Sequence, residues 1–396
     1  MVSSWRWFVG WQGTEVAVTL IDADSHLFEP RDMWARYADR ADRELALTIA
    51  DDELGWSWLT FQGRRLHEAE VPVPGHVIEL GEARRAHRRG EGPLVSYDEA
   101  LPPAYTDPDA RIGLLDEQGL DATVLFPNHG LVWEDQLDDV RARRANMRAH
   151  NRWIGEATEG TRRLLGVGHL DLGELDWLEA ELANLEKHGV TLAMVAPSTV
   201  DGKSLAHPDL DLTWAAFAAH NVAPVFHVGA HRRPFDAAWY DLENDPVNTF
   251  TDSVLLWAAP AVALTNMAAF GVFERHPELR VGVVELTAAW IVPWLLYLDG
   301  GVGFISGLLG REPAALSMQP SEYVRRQVRV AALAYEQVGG LIEQAGDDLF
   351  MFGSDWPHAE GIADPLGSYR AANPGITGRA ADQLYGGNVA WLAGLD

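Results

Sequence analysis

From residue 107 onward the chain alternates amphipathic stretches with short apolar runs. Apolar positions recurring every three to four residues mark helices, and short apolar runs bounded by turn residues mark buried strands. On that reading a helix over 110–118 precedes a strand at 122–126, and the amphipathic stretch 140–159 precedes a strand at 164–170. A helix over 175–188, closed by Gly189, leads to a strand at 190–196, and a helix over 210–220 leads to one at 223–228. The long segment 251–275 precedes a strand at 280–285, the stretch 289–309 is again helical, and 328–333 and 349–352 supply two more strands. With 16–22 as the first, eight strand candidates result. Near-continuous apolar strands are those covered on both faces, as in parallel sheets. The pattern therefore predicts an α/β chain forming a single (β/α)8 TIM barrel. A doubly wound sheet is the alternative, but no Gly-rich phosphate loop follows the first strand.

The least regular region, 37–106, reads as an insertion after the first strand and a candidate lid. Its charged run 82–91 (EARRAHRRGE) is expected to be a solvated face. Residues 1–20, with Trp5, Trp7 and Trp11 among polar residues, form an N-terminal extension to the barrel spanning 21–396. That extension lacks the basic start and continuous apolar stretch of a signal peptide, so cytoplasmic residence is expected. No apolar run reaches the roughly 20 residues of a membrane span, so no membrane partner is expected.

In a barrel, chemistry gathers at the carboxyl ends of the strands. Strand one ends in Asp24-Ser25-His26, strand five in His227 (PVFHVG), strand six in Glu285 (VGVVEL), and strand eight runs into Asp355 (MFGSDWPH). Side chains two apart on a strand share a face, so Asp24 and His26 are placed to grip one ion together. His227 and Asp355 complete a set of two nitrogen and two oxygen ligands, suited to Zn or Mn. Lys187 and Lys203 are the only lysines and neither lies on a strand, so no lysine is placed to bridge a second metal. One divalent ion is expected.

Composition narrows the choice further. There are no cysteines, which excludes disulfides, thiolate sites and a Cys nucleophile. A net charge of −27 argues against a nucleic-acid partner. With 47% hydrophobic residues the 396-residue chain can bury a large core.

The segments IDADSHLFEP, DPDARIGLLDEQGLDATVLFP, NVAPVFHVG, GVFERHPELRVGVVE and FMFGSDWPHAEG resemble the amidohydrolase superfamily, specifically the branch of aminocarboxymuconate-semialdehyde decarboxylase. YGGNVAWLAGL resembles the closing helix of that branch. The resemblance implies a (β/α)8 fold and a mononuclear divalent site at Asp24, His26, His227 and Asp355. Many relatives open with His-x-His where this chain has Asp24-x-His26. Relatives that decarboxylate commonly place a catalytic histidine after strand six, where this chain has Glu285.

Three functions fit these residues. The first is a metal-dependent, non-oxidative decarboxylase of a small aromatic or unsaturated carboxylic acid, with Asp355 or Glu285 moving the proton. The second is a metal-dependent hydrolase of an amide, ester or lactone, with Glu285 or Asp355 as general base. The third is an inactive barrel that binds a partner. Under the enzyme readings Trp290 and Trp356 are candidate walls of a flat pocket and Arg233, in HVGAHRRPF, a candidate contact for a substrate carboxylate. His358 is a candidate hydrogen-bond partner of a ligand, and Asn388 a candidate cap of the last helix. A homodimer is compatible with the resemblance, with 251–275 as its candidate interface.

Overall fold

Burial on both faces of the strands decides the architecture. The computed structural model describes residues 20–69, 80–93, 96–229, 232–241, 243, 249–358 and 364–395. Strand β1 (Ile21–Leu27) is followed by a three-stranded antiparallel sheet of β2 (Thr48–Asp51), β3 (Ser57–Phe61) and β4 (Arg64–Glu68). Then come β5 (Ala122–Pro127), β6 (Leu164–His169), β7 (Leu192–Met194), β8 (Ala223–His227), β9 (Val281–Val284), β10 (Val328–Ala332) and β11 (Phe350–Phe352). Strands β1 and β5 to β11 pair in parallel in that order. The ring closes where the chain after β11 meets β1: Ser25 bridges Trp356, His26 N–H donates to the Trp356 carbonyl (2.8 Å), and Asp355 N–H donates to the Asp24 carbonyl (2.9 Å). The fold is a (β/α)8 barrel.

Strand periodicity sorts the apolar side chains into two cores. Ile21, Ala23, Ala122, Val124, Val225, Val284 and Met351 fill the barrel with Val389 and Leu392 of the last helix. Leu125, Phe226, Val283, Val330 and Phe352 instead meet the outer helices, among them Leu175–Lys187, Asp211–Ala219 and Ala258–Ala269.

Several expectations shift. The first strand was placed at 16–22; the observed β1 begins at Ile21, so Asp24 and His26 lie inside it rather than beyond its end. Their polarity mimics a strand terminus, yet both residues are buried. Residues 1–19 lie outside the described residues. The 251–275 segment is three helices, Phe250–Val254, Ala258–Ala269 and Val272–Arg275, the last break marked by Gly271 at φ 78°. Asn388 does not cap: its amide donates to the carbonyls of Asp347 and Phe350, tying the last helix to β11.

One further correction concerns length. The helix Ile291–Leu309, at 19 residues and mean hydropathy 1.4, is long and apolar enough by composition to cross a membrane, and only 22% of it is buried. Its glycines and single aspartate disguise the run in the sequence.

The inserted region is structured as the β2–β3–β4 sheet and short helices, including Leu80–Arg88, Tyr97–Ala100 and Pro103–Thr106. The charged run falls largely on the first of these, with Arg84 paired to Glu68 (3.1 Å).

Candidate metal centre

Three local devices aim the polar side chains at one point. The first is a register shift in β1 between Asp22 and Ser25. Ala23 still belongs to the barrel interior, while Ser25 turns outward to the Thr123 hydroxyl (2.7 Å), so Asp24 and His26 both face inward. The second is a left-handed backbone at Glu285 (φ 53°), Thr287 (φ 57°) and Asp355 (φ 53°). Such conformations cost non-glycine residues about 1 kcal/mol or more each. At Glu285, where Val284 already faces inward, the turn brings a second consecutive side chain to the centre. Glu336 holds that turn, accepting from the Ala288 and Ala289 N–H groups (both 2.8 Å). The third is Gly353, where a Cβ would lie 3.0 Å from that of Asp24.

The histidine tautomers follow from their backbone partners, since a carbonyl only accepts. His26 Nδ1–H donates to the Pro127 carbonyl (2.9 Å) and His227 Nδ1–H to the Val228 carbonyl (2.8 Å). In both rings Nε2 is the atom turned toward carboxylates. His26 Nε2 lies 3.1 Å from Asp355 Oδ1, 3.6 Å from Asp24 Oδ1 and 3.9 Å from Glu285 Oε2; His227 Nε2 lies 3.4 Å from both Asp24 and Glu285. Burial, and then the charge of His358, hold the His26 ring down to about 4, so it is neutral near pH 7.

Asp24, His26, His227 and Glu285 bring ligand-type atoms within 4.8 Å of one another, as do His26, Glu285, Asp355 and His358. Two carboxylates at that separation repel by about 3 kcal/mol at an effective dielectric constant near 20. Asp355 Oδ2 is buried and accepts no hydrogen bond among the described residues. Lone pairs facing carboxylates, with a buried oxygen left over, fit a divalent cation, and the oxygen and imidazole donors suit Mn or Zn chemistry. Glu285 stands as close to the histidines as the expected ligands do, a proximity its strand-end position alone did not reveal.

His358 meets Asp355 Oδ1 through Nδ1 (2.8 Å) and stacks on His26 with ring centroids 3.9 Å apart. Burial works to raise the Asp355 carboxyl, but the charge of His358 and the hydrogen bonds from His26 and His358 together outweigh it and hold it below the ordinary range. Phe126 lies against His227, centroids 4.1 Å apart.

The other expected residues have these partners. Trp290 is a core residue whose indole N–H donates to the Thr287 carbonyl (2.9 Å), beneath the Glu285 turn. Trp356 lies over the Arg111 guanidinium, 4.2 Å from the ring centre. Buried Arg111 in turn donates to the His26 carbonyl (2.5 Å) and the Ser25 hydroxyl (3.2 Å), bracing β1. Arg233 is engaged by Asp252 (2.9 Å), whereas its neighbour Arg232 lines a polar cavity of about 330 Å³ beside Glu134, Asp135 and Asp201.

Sequence reasoning passed over Asn128, His129 and His169. All three stand at the end of an apolar strand, so the rule that found His227 also applies to them.

Fold and site together define a (β/α)8 barrel with a buried histidine–carboxylate cluster of metal-binding type. No family model and no curated protein matches the chain. Solved structures do. An amidohydrolase from Mycobacterium avium subsp. paratuberculosis K-10 is 24% identical, covers 96% of this chain and 100% of its own, and superposes with a TM-score of 0.74. The 5-carboxyvanillate decarboxylase of Sphingomonas paucimobilis is 17% identical over 95% of this chain and 99% of its own (TM-score 0.63). That of Novosphingobium aromaticivorans DSM 12444, complexed with manganese and 4-hydroxy-3-methoxy-5-nitrobenzoic acid, is 15% identical over 96% and 97% (TM-score 0.64). At these identities the likeness is one of fold. These neighbours include an amidohydrolase and aromatic-acid decarboxylases, in keeping with the resemblance in the motifs.

Proposed function

We propose that this chain is a metal-dependent, non-oxidative decarboxylase of a small aromatic or unsaturated carboxylic acid. The observation that carries the reading is the convergence of the His26 and His227 Nε2 atoms with Asp24, Glu285 and Asp355 at the mouth of a barrel whose solved neighbours include decarboxylases. Asp24, His26, His227 and Asp355 would hold one divalent ion, Mn or Zn, with Glu285 beside it. When bound, that ion supplies a Lewis acid for the carboxylate or an adjacent hydroxyl of the substrate.

The chain's own residues supply the proton. Losing CO2 breaks a carbon–carbon bond and leaves its electron pair on the substrate carbon, which must then be protonated. Glu285 is the more accessible of the acids, its side chain 17% exposed against 1% for Asp355, so it is placed to deliver that proton from the open side. Phe126 offers a flat face beside His227, and one of Arg232 and Arg233, a few residues beyond His227, would meet an anionic substrate.

Glu285 also favours a second reading, since a carboxylate there can serve as general base to an attacking water in amide, ester or lactone hydrolysis. The test offers the Mn-loaded protein hydroxybenzoic acids and neutral esters side by side. CO2 release from the acids is expected. Ester turnover without CO2 would establish the hydrolase instead.

A second copy of this chain is the expected partner. Leu296, Tyr297, Phe304 and Leu308 on Ile291–Leu309, with Val262 and Phe270 beside them, leave roughly 700 Å² of apolar surface uncovered, close to the ~800 Å² per partner of a standard interface. The helix carries one charge, Asp299, and it is occupied by Ser321 (2.7 Å). An uncharged face is where two copies of a −27 chain can meet with least repulsion. Sedimentation should show a dimer that Leu296→Glu with Leu308→Glu dissociates. A wild-type monomer that co-floats with neutral vesicles would assign the face to lipid.

A further inference from the structure

We infer that Tyr97, carried by the segment inserted after β1, is a positioning residue for the metal centre, acting on His358 through a buried chain of side chains. The inference rests on the metal-site reading above.

The chain can be followed atom by atom, because each link fixes the next. Tyr97 O–H donates to the Glu29 carbonyl (3.1 Å), which can only accept. Its oxygen lone pair must then take a proton from His129 Nε2 (2.9 Å). His129 Nδ1 is left as a lone pair, and the Asn128 amide nitrogen lies 3.3 Å from it and 3.4 Å from Nε2, so that Nδ1 is the ring nitrogen able to accept from it. With its nitrogen turned that way, Asn128 presents Oδ1 to His358 Nε2–H (2.8 Å). His358 is thereby held with Nδ1 on Asp355 Oδ1 (2.8 Å) and its ring on His26.

Nothing in this path can slip easily. The N–H groups of His129 and Gly130 both donate to the buried Glu29 carboxylate (2.9 and 2.8 Å). A Cβ at Gly130 would lie 2.4 Å from that of Pro127, so the turn after β5 depends on glycine there. Tyr97, Asn128 and His129 are all at least nine-tenths buried, and Phe28 packs edge-on against His129 (5.7 Å). An apolar filling would serve such a core without desolvating four polar groups, each costing about 1–3 kcal/mol if left unpaired. The polar path makes sense as orientation of the group at its end.

Removing the Tyr97 hydroxyl frees His129 to carry its proton on Nδ1. In that tautomer the Asn128 NH2 must move from Nδ1 (3.3 Å) to Nε2 (3.4 Å), and an amide that rotates instead would present a donor to His358, which already donates from Nε2. Partners one step beyond a metal ligand typically change metal affinity 10–100-fold when lost.

The test is a Co(II) titration of the full chain, read from visible d–d absorption, which reports both Kd and coordination. Tyr97→Phe should raise the Co(II) Kd about 10-fold and shift the band, and Asn128→Ala should do the same or more. In a His358→Gln background, Tyr97→Phe should add nothing further. Tyr37→Phe, which loses only a surface contact to Glu156, serves as the control. A wild-type Kd and spectrum in Tyr97→Phe, or losses that multiply in the double variant, would overturn the inference while leaving the metal site intact. A wild-type chain that takes up no Co(II) would fell the metal-site reading itself, and this inference with it.

Discussion

His26 and His227 can be set against His169. All three are buried at or near the carboxyl ends of apolar barrel strands. In the first two, Nδ1–H is spent on a backbone carbonyl and Nε2 faces two or three carboxylates. In the third, Nε2 is met by one carboxylate among the described residues, Glu134 (2.9 Å), and Trp133 packs nearby with centroids 5.5 Å apart. A strand end supplies the address; under the proposed metal site, the backbone carbonyl that pins Nδ1 and the number of carboxylates opposite Nε2 would separate a ligand from a structural histidine. The comparison breaks most sharply on metal content. His227→Ala should lower Co(II) or Mn(II) affinity by a factor of roughly 10² or more, whereas His169→Ala should stay within a few-fold of wild type. Equal losses would mean that the site extends to β6.

Glu285 sharpens the same contrast, being one carboxylate opposite two lone pairs. Glu285→Gln keeps an oxygen ligand but removes the acid, so turnover should fall about 10²-fold while bound metal falls much less. A variant that loses its metal as completely as His227→Ala would make Glu285 a principal ligand and leave Asp355 to move the proton.

The legible part of this molecule was whatever repeats. Seven of the barrel strands were placed within a residue or two because both faces of each are apolar, a signal independent of partners. The first strand slid by five residues because Asp24 and His26 are polar and central at once. Asp24, His26, His227, Glu285 and Asp355 were visible as polar residues after apolar runs. The β1 register shift, the positive φ at Glu285 and Asp355, and the Glu336 clamp were not, since each depends on neighbours far along the chain. The same is true of Arg233, whose partner Asp252 lies 19 residues on.

The pH dependence of stability sets the buried histidines against a buried carboxyl. His150 is buried with Nε2 on the Val167 carbonyl (2.9 Å) and Nδ1 without a hydrogen-bond partner among the described residues. Burial holds it down to about 3, and burial does the same to His129. A base whose folded pKa lies below its unfolded value of about 6.5 gives stability that is full above pH 6.5 and lost as pH falls toward 3. Glu29, pushed up to about 7 by burial, has the opposite sign: its contribution is present below pH 4.5 and lost as pH rises to 7, which partly offsets the histidines between those limits. His150→Gln keeps a donor for Val167 and cannot titrate. Urea unfolding at pH 7 and pH 5 should show that the variant escapes about 2 kcal/mol of the wild-type loss. Parallel losses in both proteins would place a charged, solvated His150 in the folded state.

The smallest expected effect contrasts the two tryptophans beside the site. Trp290 is held in the core by its hydrogen bond to Thr287 and by Trp294 (centroids 5.3 Å apart), so it steadies the Glu285 turn from below. Trp356 instead covers Arg111, whose guanidinium holds the last residues of β1. Arg111 is buried, and burial pulls its pKa down to about 9 with Asp22 opposing, so it remains charged at neutral pH and needs a face to rest on. A desolvated cation on an indole gains about 2 kcal/mol, and a phenyl ring recovers part of that. Trp356→Phe should therefore lower unfolding stability by about 1 kcal/mol, seen as a shift in urea midpoint at constant slope. Metal affinity should change less than twofold, because the Trp356 backbone contacts to Ser25 and His26 survive the substitution. A larger loss of metal than of stability would show that the indole reaches the ligands directly, and would restore Trp356 to the pocket wall.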